Sequence, residues 1–112
     1  MSAPRLNRRM TLEAAERAPD GAGGFVETWV TLGTLWADVA PRSGRIATGE
    51  GGAVSATAFR VTLRAAPVGQ SDRPAAGQRL RMGTRLFRIE AVTESDASAL
   101  YLTCQCEEEI AP

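Results

Sequence analysis

Histidine is absent from this sequence, and so is lysine. Without histidine the chain has neither the usual general base near neutral pH nor the commonest metal ligand. Cysteine is scarce: only Cys104 and Cys106 occur, two residues apart. Two thiolates alone do not make a zinc site. In a strand, residues i and i+2 share a face with Cα atoms about 6.5–7 Å apart, at the limit of disulfide reach. The pair therefore reads as two small apolar side chains buried in a reducing cytoplasm. No run approaches the ~20 apolar residues of a membrane helix. The opening Met1-Ser2-Ala3-Pro4-Arg5-Leu6 lacks the apolar centre of a signal peptide. Synthesis and assembly in the cytoplasm, with no membrane partner, are the expectation.

An excess of either charge is missing too. Thirteen basic and 13 acidic residues cancel, which excludes a polycation built to coat DNA. Every basic residue is Arg, and Ala is abundant. A GC-rich coding sequence accounts for this bias more simply than selection of Arg for phosphate contacts.

Catalytic constellations are also lacking. The acids Glu13, Glu27, Asp38, Glu50, Asp72, Glu90 and Asp96 are scattered, so no carboxylate pair is set up for acid–base work. The glycines from Gly44 to Gly52 do not make a phosphate-binding loop, because that motif needs a Lys and a following helix. The run Glu107-Glu108-Glu109 reads as a solvated end. Trp29 and Trp36 have no interleaved basic residues and read as core packing rather than base-stacking platforms. No catalytic residue, metal ligand or cofactor site is expected.

What is present is one domain's worth of β-forming sequence. The chain has 112 residues, 44% of them apolar, enough for one modest core burying roughly 65% of the unfolded surface. Residues 1–9 are polar and read as an N-terminal arm. From Met10 to Glu16 apolar and polar residues alternate as in a half-buried strand. Pro19 to Gly24 is a turn. Phe25 to Val39 is rich in β-formers but long for one strand, and Gly33 marks a bulge or bend. Unbroken alternation puts Trp29 and Trp36 on opposite faces; one extra residue at Gly33 puts them on the same face.

Residues 41–57 form a Gly-rich segment far longer than the ~2–5 residues of a hairpin loop. Ala58 to Arg64 alternates again, with Phe59, Val61 and Leu63 inward. After a Pro- and Gly-containing connection, Leu80-Arg81-Met82 and Arg85 to Thr93 flank Gly83-Thr84. That dipeptide suits a two-residue type II′ turn. The register sets Met82 opposite Arg85, Leu80 opposite Phe87 and Arg79 opposite Arg88, an unfavourable pair that Glu90 can relieve. A last strand alternates Leu100, Leu102, Cys104 and Cys106 inward, and residues 108–112 form a C-terminal tail. About six strands and no helix predict an all-β fold, a small antiparallel barrel or sandwich over 10–107 with one long Gly-rich loop.

The order of motifs resembles the phage head–tail joining family. It is carried by Leu6-Asn7-Arg8-Arg9-Met10-Thr11-Leu12-Glu13, Gly24-Phe25-Val26-Glu27-Thr28-Trp29, Thr34-Leu35-Trp36-Ala37-Asp38-Val39 and Ser43-Gly44-Arg45. Further along it continues in Phe59-Arg60-Val61-Thr62-Leu63-Arg64, Gly77-Gln78-Arg79-Leu80, Phe87-Arg88-Ile89-Glu90-Ala91-Val92 and Leu100-Tyr101-Leu102-Thr103-Cys104. The segment after Arg45 departs from the family, being richer in Gly and Ala.

The resemblance implies a structural connector, or stopper, in the neck of a tailed phage or a phage-like gene transfer agent. Such proteins form six- or twelve-fold homo-oligomeric rings between portal or adaptor proteins and the tail terminator or tail proteins. In some, a long loop enters the channel and holds packaged double-stranded DNA. Here the channel loop would comprise Arg42, Ser43, Gly44, Arg45, Thr48, Gly49, Glu50, Gly51 and Gly52, with Arg42 and Arg45 as phosphate contacts. Arg5, Arg8 and Arg9 of the arm and Glu108 and Glu109 of the tail would meet partners. A loop ordered only by neighbouring subunits is the competing account of 41–57. A tail terminator or another small virion protein is the alternative within the same class; a hollow, monomeric ligand-binding barrel is the alternative outside it.

Overall fold

Six strand segments of period-two sequence have one apolar face each, and a small sheet can bury all of those faces together only by curling onto itself. The computed structural model describes residues 4–42, 47–48, 54–55, 58–65, 73–94 and 100–109. They contain β1 (Arg8–Pro19), β2 (Phe25–Pro41), β3 (Ala47–Thr48), β4 (Val54–Ser55), β5 (Ala58–Arg64), β6 (Arg79–Met82), β7 (Arg85–Glu94) and β8 (Tyr101–Glu109), and no helix. Six of these close into an antiparallel barrel in the order β1-β2-β5-β8-β7-β6. The barrel shuts where β6 pairs with β1, from Thr11↔Arg81 to Glu13↔Arg79. The all-β expectation, a small barrel of about six strands, therefore describes the chain. The two further strands, β3 and β4, form a separate ladder, Ala47↔Ser55 and Thr48↔Val54, within the long Gly-rich segment.

The core is the inner face of the barrel. Met10, Leu12, Ala37, Phe59, Val61, Leu63, Leu80, Phe87, Ile89, Leu102, Cys104 and Cys106 form one buried cluster. Each large apolar side chain in it contributes about 1.5–3 kcal/mol by leaving water. The hairpin β6–β7 adopts the expected register, Met82↔Arg85, Leu80↔Phe87 and Arg79↔Arg88. Gly83 takes φ +62° at the first turn position, a left-handed conformation that costs glycine nothing. Leu100, expected inward, is 53% exposed because β8 begins one residue later.

The long strand β2 is bulged. Leu12 pairs with Gly33 and Glu13 with Thr31, so Leu32 is the extra residue. Trp29 then lies opposite Ala15 and Trp36 opposite Arg9, positions of equal parity on β1. Both indoles share the outer face, and the core-packing reading of them is corrected. The inward position beside Trp36 is held by Leu35, opposite Met10, while Trp36 is 56% exposed. Trp29 lies under the Arg79 guanidinium, 4.0 Å from the ring centroid.

β1 starts at Arg8 and β8 runs through Glu109. At the end of β8, Glu108 pairs with Phe87 and Glu109 with Leu86, so backbone ladder bonds hold acids that composition alone assigns to a free tail.

Candidate functional site

Antiparallel order around a closed barrel sorts the connections between its two rims. One rim carries the segment 4–7, the exit of β2 at Pro41, the entry of β5 at Ala58, the turn Gly83-Thr84 and the end of β8. The other carries the β1–β2 turn and the connections leaving β5 and β7. Among the described residues, the first rim brings together Arg5, Arg8 and Arg9, the root of the long loop at Arg42, and Glu108 and Glu109. Ser43, Gly44, Arg45, Glu50 and the glycines Gly49, Gly51 and Gly52 lie outside the described residues. Thr48 is described by its backbone pairing with Val54.

The root of the loop is built into the wall. The Arg42 amide donates to the Ala58 carbonyl at 3.0 Å, and its guanidinium Nη1 donates to Gln105 Oε1 at 3.4 Å. The outer face there also holds Glu107, opposite Ala58. Arg42 Nε and Glu107 Oε2 are buried atoms without a hydrogen-bond partner among the described residues. Arg42, expected to contact phosphate, therefore lies across the barrel's own wall at the point where the loop departs.

A second arginine seals the rim. Arg85 Nε and Nη2 donate to the two Glu108 carboxylate oxygens at 2.8 and 3.0 Å. The same guanidinium sits 4.9 Å from the Phe87 ring centroid and 5.4 Å from that of Phe59. Those rings meet edge to face at 5.2 Å. Its bond to Glu108 holds the Arg85 guanidinium above its ordinary pKa. Glu108 is thus engaged within its own chain, whereas Glu109, Arg8 and Arg9 are exposed.

Two features of the outer surface were not singled out from sequence. The first is a two-stranded ribbon. β6 pairs with β1 only at Thr11–Glu13, and β5 pairs with β2 only at Ala37–Pro41. Beyond the bulge, β1 and β2 therefore pair, among the described residues, only with each other, and residues from Ala15 to Thr28 are exposed save for half-buried Gly24. Asp20 organises the tip by accepting from the amides of Ala22 and Gly24 at 2.8 and 3.1 Å. These bonds hold its carboxyl below the usual value. Phe25 and Val26 remain 62% and 47% exposed.

The second feature is a notch of about 270 Å³ where β2 parts from β5, lined by Leu6, Thr34, Leu35, Trp36, Leu63 and Arg64. The Arg5 amide donates to Asp38 Oδ2 at 3.2 Å and ties the arm to β2 nearby. The signal for the ribbon was present in the sequence: Glu16-Arg17 and Pro19-Asp20 place polar groups on both faces, so this stretch has no core side. The notch had no such signal, since it depends on where the β2–β5 ladder stops.

Among the described residues no group of three His, Cys, Asp or Glu side chains gathers to hold a metal ion. Burial pushes the Cys104 thiol up to about 12 and raises that of Cys106 as well, so neither is a poised nucleophile.

Comparison with known proteins assigns this arrangement. A family model described as phage head completion protein matches residues 1–109. A chain from the virion of a native gene transfer agent particle is 45% identical over 97% of this chain and 100% of that one, with a TM-score of 0.76. A Shigella flexneri 2a protein determined in solution is 26% identical, covering 100% of both chains, with a TM-score of 0.70. No curated protein matches.

Proposed function

The chain belongs to the phage head completion protein family, structural proteins of the head–tail region of the virion, and from that premise we propose that it is a connector ring whose long loop gates the DNA channel. In this reading copies of the barrel stand side by side between the portal or adaptor ring and the tail. Residues 43–57 reach toward the central axis, and the arm at 1–9 and the end at 108–112 meet the neighbouring rings and subunits.

The observation that carries the reading is the root of the loop. β2 and β5 are adjacent antiparallel strands, so the connection between them must leave over the rim. The Arg42–Ala58 bond and the Arg42–Gln105 contact fix its departure, and within it Ala47 pairs with Ser55 and Thr48 with Val54. Small residues suit a place where several copies converge, because they permit close backbone approach. A packed interior, filled by the core cluster, supports a wall component over a hollow ligand carrier.

Deleting residues 46–54 tests the gate. Particles carrying the deletion should assemble heads, fill them and lose DNA before or without tail attachment. Full retention of DNA together with normal tail joining would overturn the gating role and leave the ring.

A further inference from the structure

The ribbon and the notch are complementary features of one surface. The ribbon offers Phe25 on one face and Val26 on the other, and none of the described residues buries either of them. The Arg17 guanidinium lies 4.8 Å from the Phe25 ring centroid and orients that ring without burying it. The notch offers Leu35, Leu63, Leu6 and the exposed indole of Trp36, an apolar hollow sized for an aromatic or branched side chain.

Charge follows the same division. The ribbon from Ala15 to Thr28 holds Glu16, Asp20 and Glu27 against a single Arg17. The notch is lined by Arg64, and its Trp36 lies opposite Arg9; both arginines are exposed. The chain thus carries an acidic ribbon with an exposed aromatic ring and, elsewhere, an apolar notch edged by arginine.

The two cannot meet within one copy. Phe25 and Leu35 lie on the same strand about 30 Å apart at the ordinary rise per residue. Two different patches that fit each other on identical chains make a head-to-tail contact, which closes into a ring when the rotation permits.

We propose that the occupant of the notch is a second copy of this chain: the β1–β2 ribbon of one subunit seats Phe25 between Leu35, Trp36, Leu63 and Arg64 of the next. The proposal rests on the connector-ring reading above and supplies its subunit contact. It assigns the ribbon, rather than the long loop, to holding the ring together.

The test uses assembled particles carrying Glu27→Cys, on the same face as Phe25, together with Thr34→Cys, mildly oxidised and run on a non-reducing gel. The expected result is a ladder at multiples of the 11.9 kDa chain that collapses on reduction, and no ladder from either single variant. Monomer alone, in tailed particles that contain the chain, would overturn this contact while leaving the head–tail role standing. A cross-link to a different polypeptide would overturn it too, by naming another occupant. Absence of the chain from the particle would remove both. As a second arm, Glu27→Arg should lower tailed particles about tenfold by placing like charges together, and Arg64→Glu in the same chain should restore them; no rescue counts against the contact.

Discussion

Arg79 places its Nε 2.6 Å from Glu13 Oε1, and the Glu13 side chain is only 1% exposed. Arg81 reaches the other carboxylate oxygen. The carboxylate thus sits between two arginines of β6, on the outer face of β1, where β1 and β6 close the barrel. Removing it strands Arg79, which also covers Trp29. Glu13→Ala is expected to cost about 3 kcal/mol, the lower end for breaking a buried pair, since Arg81 is half exposed. Glu13→Gln, which retains an acceptor, should cost less. Urea unfolding of the three proteins checks the order; a Glu13→Ala variant as stable as the parent contradicts it.

The two cysteines should be inert. With Cys104 pushed up to about 12 by burial, essentially no thiolate exists at pH 8. Iodoacetamide should modify neither thiol in the native state and both in denaturant, as intact mass reports. Rapid native alkylation would mean that β8 opens locally.

Asp20 gives the ribbon tip a defined pH dependence. Its folded pKa lies below the ordinary 3.8 because the Ala22 and Gly24 amides donate to the carboxylate. Its contribution is therefore fully present above pH 3.8 and is lost as pH falls through the folded value. The amide resonances of Ala22 and Gly24 should titrate only below pH 3.8, and Asp20→Ala should remove that titration. Titration of those amides near neutral pH would rule out Asp20 as its cause.

Gly83 sits at φ +62° with open space where a Cβ would project. Gly83→Ala should cost about 1 kcal/mol from backbone strain alone, and Gly83→Asn less, since Asn tolerates the left-handed region. Equal stability of all three would show that the turn relaxes to another type.

How much of this was readable beforehand follows from what each residue depends on. The inward row of Phe59, Val61 and Leu63 and the pairing of Leu80 with Phe87 were legible, because period-two alternation and a glycine turn are local signals. The burial of Cys104 and Cys106 followed from the same alternation. The face of Trp36 was not legible because it depends on the extra residue at Leu32, which only pairing with β1 reveals. Glu108 was read as a free tail because its partner Arg85 is distant in sequence. The notch beside Trp36 was invisible for a similar reason: it exists because the β2–β5 ladder ends at Ala37↔Leu63.

Cryo-electron microscopy of the intact particle that carries this chain tests the whole account most directly. The neck should contain a closed ring of these barrels at the head–tail junction, with residues 43–57 of every copy turned toward the axis. Barrels located elsewhere in the particle, or a ring whose long loops face outward, would contradict it.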